Sequence, residues 1–179
     1  MADINTTPFS DIYESFLSKI TDDMYMEFTK EDTYKMLQDL LITSIPKFEF
    51  PRINLFDYEL GKEETGINEE TGEETNVYTV GFFNNKLSLE EINILSTYMI
   101  VEWLGQQLAS IENVRMKFSG TDFKFTSQAN HMQKLLVIKK DYEREGFHLQ
   151  RLYKRRAPGK DGAPKSTLDI IVAPLKKRG

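Results

Sequence analysis

Apolar residues recur at helical spacing along most of the chain, and most insistently over residues 88–118. There Ile92, Leu95, Met99 and Trp103 fall on one line, and Ile94, Tyr98, Val101, Leu104, Leu108 and Ile111 widen it. From Tyr98 to Leu104 the pattern is apolar on almost every side, which predicts burial from more than one direction. Ser88 with Glu91 three residues on is a capping box, so the start is marked as well. A helix of this length runs roughly 45 Å. The pattern predicts a long central strut around which other helices pack.

Upstream, Thr7-Pro8 reads as N-cap and first helical residue. Phe9, Ile12, Tyr13, Phe16, Leu17 and Ile20 then make a stripe that ends near residues 21–23. Residues 24–28 fit either a short extended connector or a helical turn. Thr29 followed by Asp32 opens a second helix, with Tyr34, Met36, Leu37, Leu40, Leu41 and Ile45 inward and Pro46 as the stop. From 47 to 60 the period shifts toward two, through Phe48, Phe50, Ile53 and Leu55, and residues 77–83, ending in Phe82 and Phe83, answer it. Residues 61–76 between them are acidic and rich in Gly and Thr. A β-hairpin or a pair of extended arms with a long flexible tip is expected, with Pro51 confining the first strand to an edge or breaking it.

After a turn at Gly120-Thr121-Asp122, a fourth helix is expected to be capped at Thr126 or Ser127. Its stripe is Ala129, Met132, Leu135, Leu136, Tyr142, Leu149 and Leu152. Gly146 costs this helix about 1 kcal/mol without having to end it. Residues 157–164 form a Pro-Gly-rich break, and residues 167–174 a short, β-prone apolar arm. The expected fold is mainly α: a four-helix core with a long central helix, an inserted β-hairpin or extended arm, and an extended C-terminal arm. Residues 1–156 make the helical domain, with its insertion at 47–83, and 157–179 make the arm.

Charge adds a direction to this picture. The net charge of -5 conceals 6 basic against 18 acidic residues in 1–80, parity in 81–150, and 9 basic against 2 acidic in 151–179. Such polarity suits head-to-tail association of copies or a tail that reaches an acidic partner; it also suits plain solubility with a basic C-terminus. There is no cysteine, hence no disulfide, thiol nucleophile or zinc-thiolate site. Glu102, Gln106 and Gln107 interrupt the best candidate for a membrane span, and the N-terminus lacks the pattern of a secretion signal. A cytoplasmic compartment is the default.

No catalytic, cofactor or metal site is expected. His131 and His148 share no metal-binding spacing, residues 159–162 are not a phosphate loop, and no nucleophile elbow or zinc-protease motif occurs. The glutamate pairs at 63–64, 69–70 and 73–74 lack the alternating ligands of a calcium loop. Arg151, Lys154, Arg155 and Arg156 cluster beside Tyr153, and Lys176, Lys177 and Arg178 end the chain. Such clusters neutralise phosphates, but the acidic whole and the lack of any recognition signature point away from sequence-specific binding. Trp103 with Tyr98, Met99 and Phe118 reads as core before it reads as a ligand pocket. The arm carrying Leu168, Ile170, Ile171 and Val172 would expose an edge if left alone. It either adds to a neighbouring subunit by strand augmentation or docks on its own domain.

The wording FSDIYESFLSKI, DTYKMLQDLL with IPKFEFP, YMIVEWLGQQL, FKFTSQANHMQKL and YEREGFHLQRLYKRR resembles that of tailed-bacteriophage head–tail connector (adaptor or neck) proteins, over about residues 8–156. The resemblance implies a non-enzymatic virion protein, present in the host cytoplasm during assembly. Its copies would form a ring of twelve that joins the portal to the next neck or tail component around the DNA channel. No cofactor and no membrane are implied; DNA in the channel is a non-specific contact. On this reading Arg151, Lys154, Arg155, Arg156, Leu168, Ile170, Ile171 and Val172 face a neighbour or the portal. Phe48, Phe50, Ile53, Leu55, Phe82 and Phe83 form an outer contact arm. The acidic 61–76 tip departs from the family pattern. The competing reading is a small helical nucleic-acid-binding protein that uses the same basic end.

Overall fold

The computed structural model describes residues 5–20, 29–67, 74–117, 125–158 and 164–166. Across these the chain is mainly helical, with four helices and a small antiparallel sheet. The expectations for residues 21–28, 118–124, 159–163 and 167–179, and for the tip at 68–73, lie outside the described residues.

Helix α1 (Phe9–Leu17) buries Phe9, Ile12, Tyr13 and Phe16, the face its spacing dictates. Its start differs from the expected cap. Thr7–Pro8 forms a short strand β1, and Pro8, in extended conformation, precedes the helix without a side-chain cap. The Thr7 hydroxyl instead accepts the Leu87 N–H at 2.8 Å. A proline without a donor is well placed in a short edge pairing, and tertiary partners here outcompete the local cap.

Helix α2 (Lys30–Ser44) begins as the sequence predicts, with the Asp32 N–H donating to Thr29 Oγ1 at 3.2 Å. It buries Leu37, Leu40 and Leu41, and runs into one 3-10 turn, Ile45–Lys47, that contains Pro46. The following segment is not the expected strand. The Glu49 N–H donates to Gln150 Oε1 at 2.7 Å and the Arg52 N–H to the Tyr153 hydroxyl at 3.3 Å. Side chains of a later helix thus satisfy backbone groups that a strand partner would otherwise have taken, and Pro51 has no donor to offer.

Pairing resumes at strand β2 (Tyr58–Glu59). A hairpin of β3 (Lys62–Ile67) and β4 (Glu74–Thr79) then occupies much of the stretch expected to be a flexible tip, in register from Lys62 opposite Thr79 to Ile67 opposite Glu74. Ladder hydrogen bonds need backbone, not apolar side chains, so an acidic composition did not prevent them. The hairpin is moored to α2: Gly61 N–H donates to Gln38 Oε1 at 2.8 Å, Lys35 pairs with Glu63 at 3.0 Å, and Tyr78 stacks on Tyr34. Strand β5 (Phe82–Phe83) lies between β1 and β2, antiparallel to both. Gly81 makes this closure possible. A Cβ there would lie 2.5 Å from the Glu59 carbonyl oxygen and 2.7 Å from the Gly61 nitrogen.

Helix α3 (Leu89–Lys117) is packed by α1, α2 and α4. The capping box forms: Ser88 donates its N–H and hydroxyl to Glu91 Oε2 at 2.7 and 2.8 Å. Every residue from Ile94 to Val101 is buried, Ser96 and Thr97 included. Full enclosure thus begins before the Tyr98–Leu104 stretch for which the pattern predicts it and stops short of its end, Glu102 and Trp103 being only partly buried. Helix α4 (Phe125–Arg155) continues through Gly146, where a Cβ would come within 2.8 Å of the Tyr98 ring. Two short strands, β6 (Arg156–Pro158) and β7 (Pro164–Ser166), pair just beyond it.

Candidate functional site

The basic end of α4 is fastened to the 47–52 loop and to the start of α3 by a buried polar knot. Gln150, 1% exposed, donates to the Lys47 carbonyl at 2.9 Å and to the Tyr98 hydroxyl. Almost one turn on, Tyr153 donates its hydroxyl to Glu91 Oε1, so one carboxylate both caps α3 and holds α4. The Arg52 guanidinium lies 4.0 Å above the Tyr153 ring and donates to the Tyr153 carbonyl. Burial first, then the bond and charge of Glu91, push the Tyr153 hydroxyl well above its ordinary pKa, against a smaller opposing effect of Arg52. Burial also raises Tyr13, Tyr78 and Tyr98.

These shifts fix the sign of an alkaline dependence. A group whose folded pKa is raised contributes stability that is complete below its unfolded value, here 10.0, and lost as pH rises beyond it. Lys19, held below its usual value by burial, acts in the opposite direction, but four tyrosines outweigh it. The urea midpoint is therefore expected to fall between about pH 9 and pH 11, and less steeply in Tyr153→Phe. Equal slopes in the two proteins would show that Tyr153 does not carry the effect.

The structure divides the expected interface residues. Of the basic cluster, Arg156 pairs with Glu90 of α3, Lys154 sits 4.0 Å over the Phe50 ring, and Arg151 lies 5.9 Å from the Phe147 ring. Arg151, Lys154, Arg155 and Arg156 are all exposed. Leu168, Ile170, Ile171 and Val172 lie outside the described residues. The supposed outer arm is split. Phe48, Leu55 and Phe83 are 3%, 1% and 0% exposed and belong to the chain's own core, so they offer no surface to a neighbour. Phe50 is exposed, and Ile53 and Phe82 are partly so. Alternation shows that a segment has two faces but not what lies opposite each, and for Phe48, Leu55 and Phe83 it is this chain's own core.

Two surface features escaped the sequence reading. Leu136, Val137 and Ile138 on α4 are 41%, 58% and 43% exposed, although Leu136 had been placed in the inward stripe. The signal was present: Leu135 to Ile138 are four consecutive apolar residues, and at about 100° per residue they cannot all face one core. Phe56 and Leu60, at 67% and 48%, are likewise open. Elsewhere a groove between the end of α1, α3 and α4 is lined by Lys19, Ile20, Trp103, Leu135, Ile138 and Tyr142. Its amine is not available for chemistry. Lys19 Nζ has three hydrogens and faces four acceptors, Asn93 O and Oδ1, Ser96 Oγ and Thr97 Oγ1, at 2.6 to 3.3 Å.

Among the described residues no three His, Asp or Glu side chains are grouped to hold a metal ion, and no helix is long and apolar enough to cross a membrane. No family model, curated protein or solved structure matches this chain.

Proposed function

We propose that the chain is a structural subunit of a tailed-bacteriophage virion, a connector whose copies form a ring between the portal and the next neck or tail component, around the DNA channel. The observation that carries this reading beyond the resemblance is the distribution of exposed apolar residues. Among the described residues these include Leu136 to Ile138 on α4, Phe56 and Leu60 before β3, Leu89 at the start of α3, and Phe50 and Phe147, more open apolar side chains than a subunit without partners has use for. On this reading α3 is the central strut, residues 47–83 with their β3–β4 hairpin are the insertion, and residues 157–179 form the arm that reaches a neighbour or the portal. The subunit acts by binding, not by catalysis, and it passes through the host cytoplasm before joining the virion. The ring holds twelve copies by family resemblance.

Native mass spectrometry of the chain, alone and mixed with the portal assembly, tests this. A stable complex with many copies on the portal is expected. A chain that ignores the portal but binds short duplex DNA, with affinity falling steeply in salt, would replace this reading with the nucleic-acid one. Arg151 and Lys154, exposed beside Phe147 and Phe50, would then be the contacts.

A further inference from the structure

Two of the open apolar stretches, Leu136–Ile138 and Phe56 with Leu60, differ in charge. Around Leu136, Val137 and Ile138 stand Lys134 and Lys140, one turn to either side of Val137, while Lys139 is paired with Glu143 and Asp141 with Arg144. Residues 54–60, around Phe56 and Leu60, include Asp57 and Glu59 and no base. Each is thus an apolar centre with a charged rim, and the two rims are of opposite sign.

They are also far apart in one chain. Asp57 accepts the Asn84 N–H at 3.0 Å, and Leu87 donates to Thr7, so the acidic patch belongs to the N-terminal end of α3. The basic patch sits beside Trp103 and Leu104, with Ile138 lining the same groove. From residue 88 to residue 103 is about 22 Å of helix. The patches cannot cover each other within a protomer.

We infer that the Leu136–Ile138 ridge of one copy docks on the Phe56–Leu60 patch of a second copy. The contact is head-to-tail: each copy uses one patch and leaves the other free for the next. Such heterologous contacts close into a ring if the rotation per step closes and otherwise extend as a filament. Only the closing into a ring rests on the connector reading; the pairing of the two patches does not.

The absence of cysteine makes the test direct. Val137→Cys and Phe56→Cys are prepared as separate full-length proteins, mixed, and treated with a short bis-maleimide. Both sites are exposed, so neither substitution disturbs the core. Cross-linked dimer is expected in the mixture, at about tenfold the yield of either protein alone. Reversing Lys134 and Lys140 to Glu in the Val137→Cys protein should cut that yield about tenfold, and Glu59→Lys in its partner should restore much of it.

Self-cross-linking of Val137→Cys as efficient as the mixture would mean a two-fold symmetric contact and overturn the inference. So would no cross-link at all, or a yield indifferent to the charge reversals. The connector reading fails separately. Cross-linking without portal binding leaves the head-to-tail contact standing and removes the connector, and portal binding without cross-linking does the reverse.

Discussion

Phe83→Ala is expected to lower stability by about 3–5 kcal/mol, a large share of what a domain of this size commands. Phe83 is wholly buried in the middle strand of the small sheet. Its ring meets Phe9 edge-on at 4.9 Å and Tyr58 at 6.1 Å, and both depend on it for part of their packing. Truncation leaves a cavity where β1, β5 and the start of α1 converge, and β-strand backbone on both sides limits its collapse. Phe56→Ala, at 67% exposure, should stay within about 0.5 kcal/mol of the parent. Urea unfolding of the pair separates two roles for this segment. If Phe83 served a contact arm, its variant would keep the parent midpoint and lose only association.

Glu91→Ala is expected to cost about 2–4 kcal/mol. The carboxylate is 4% exposed and accepts from the Ser88 N–H, the Ser88 hydroxyl and the Tyr153 hydroxyl. Without it α3 loses half of its capping box, and the Tyr153 hydroxyl, in a buried place, loses the acceptor of its proton. The second loss is the larger, because an unsatisfied buried donor bears its full desolvation cost. Glu91→Ala combined with Tyr153→Phe should therefore destabilise by less than the sum of the two single changes, with a coupling of about 1 kcal/mol or more. Additive effects would mean that the cap alone matters and that the bond between α3 and α4 contributes little.

Local signals were read well where the chain satisfies itself locally. Thr29 and Ser88 cap as their sequence contexts require, because the acceptor and donor lie within three residues. The buried face of α1 and the enclosure of Tyr98 to Val101 follow from periodicity alone, whereas the burial of Ser96 and Thr97 does not. Thr7 was misread because its hydroxyl had a better offer from Leu87, eighty residues away. Of the two expectations for the 48–55 segment, the strand does not form, for the same reason. Its alternation is real, but Gln150 and Tyr153 took the N–H groups that a strand would have paired. The interaction surfaces were legible only in part. A basic end to α4 is a matter of composition, whereas the fate of Phe48 and Leu55 depends on what lies opposite them.

Helical identity, the helix starts marked by capping boxes and the run of residues that must be enclosed were determined by the sequence, since each depends on neighbours within about one turn. Only the tertiary structure decided which apolar residues are used up inside the chain and which are left for another. Phe83 and Phe56 are chemically alike and close in kind of segment, yet one is 0% and the other 67% exposed. That difference arises from contacts across long sequence separations, β1 to β5 and the 47–52 loop to α4, where no local rule says which of several apolar partners will arrive.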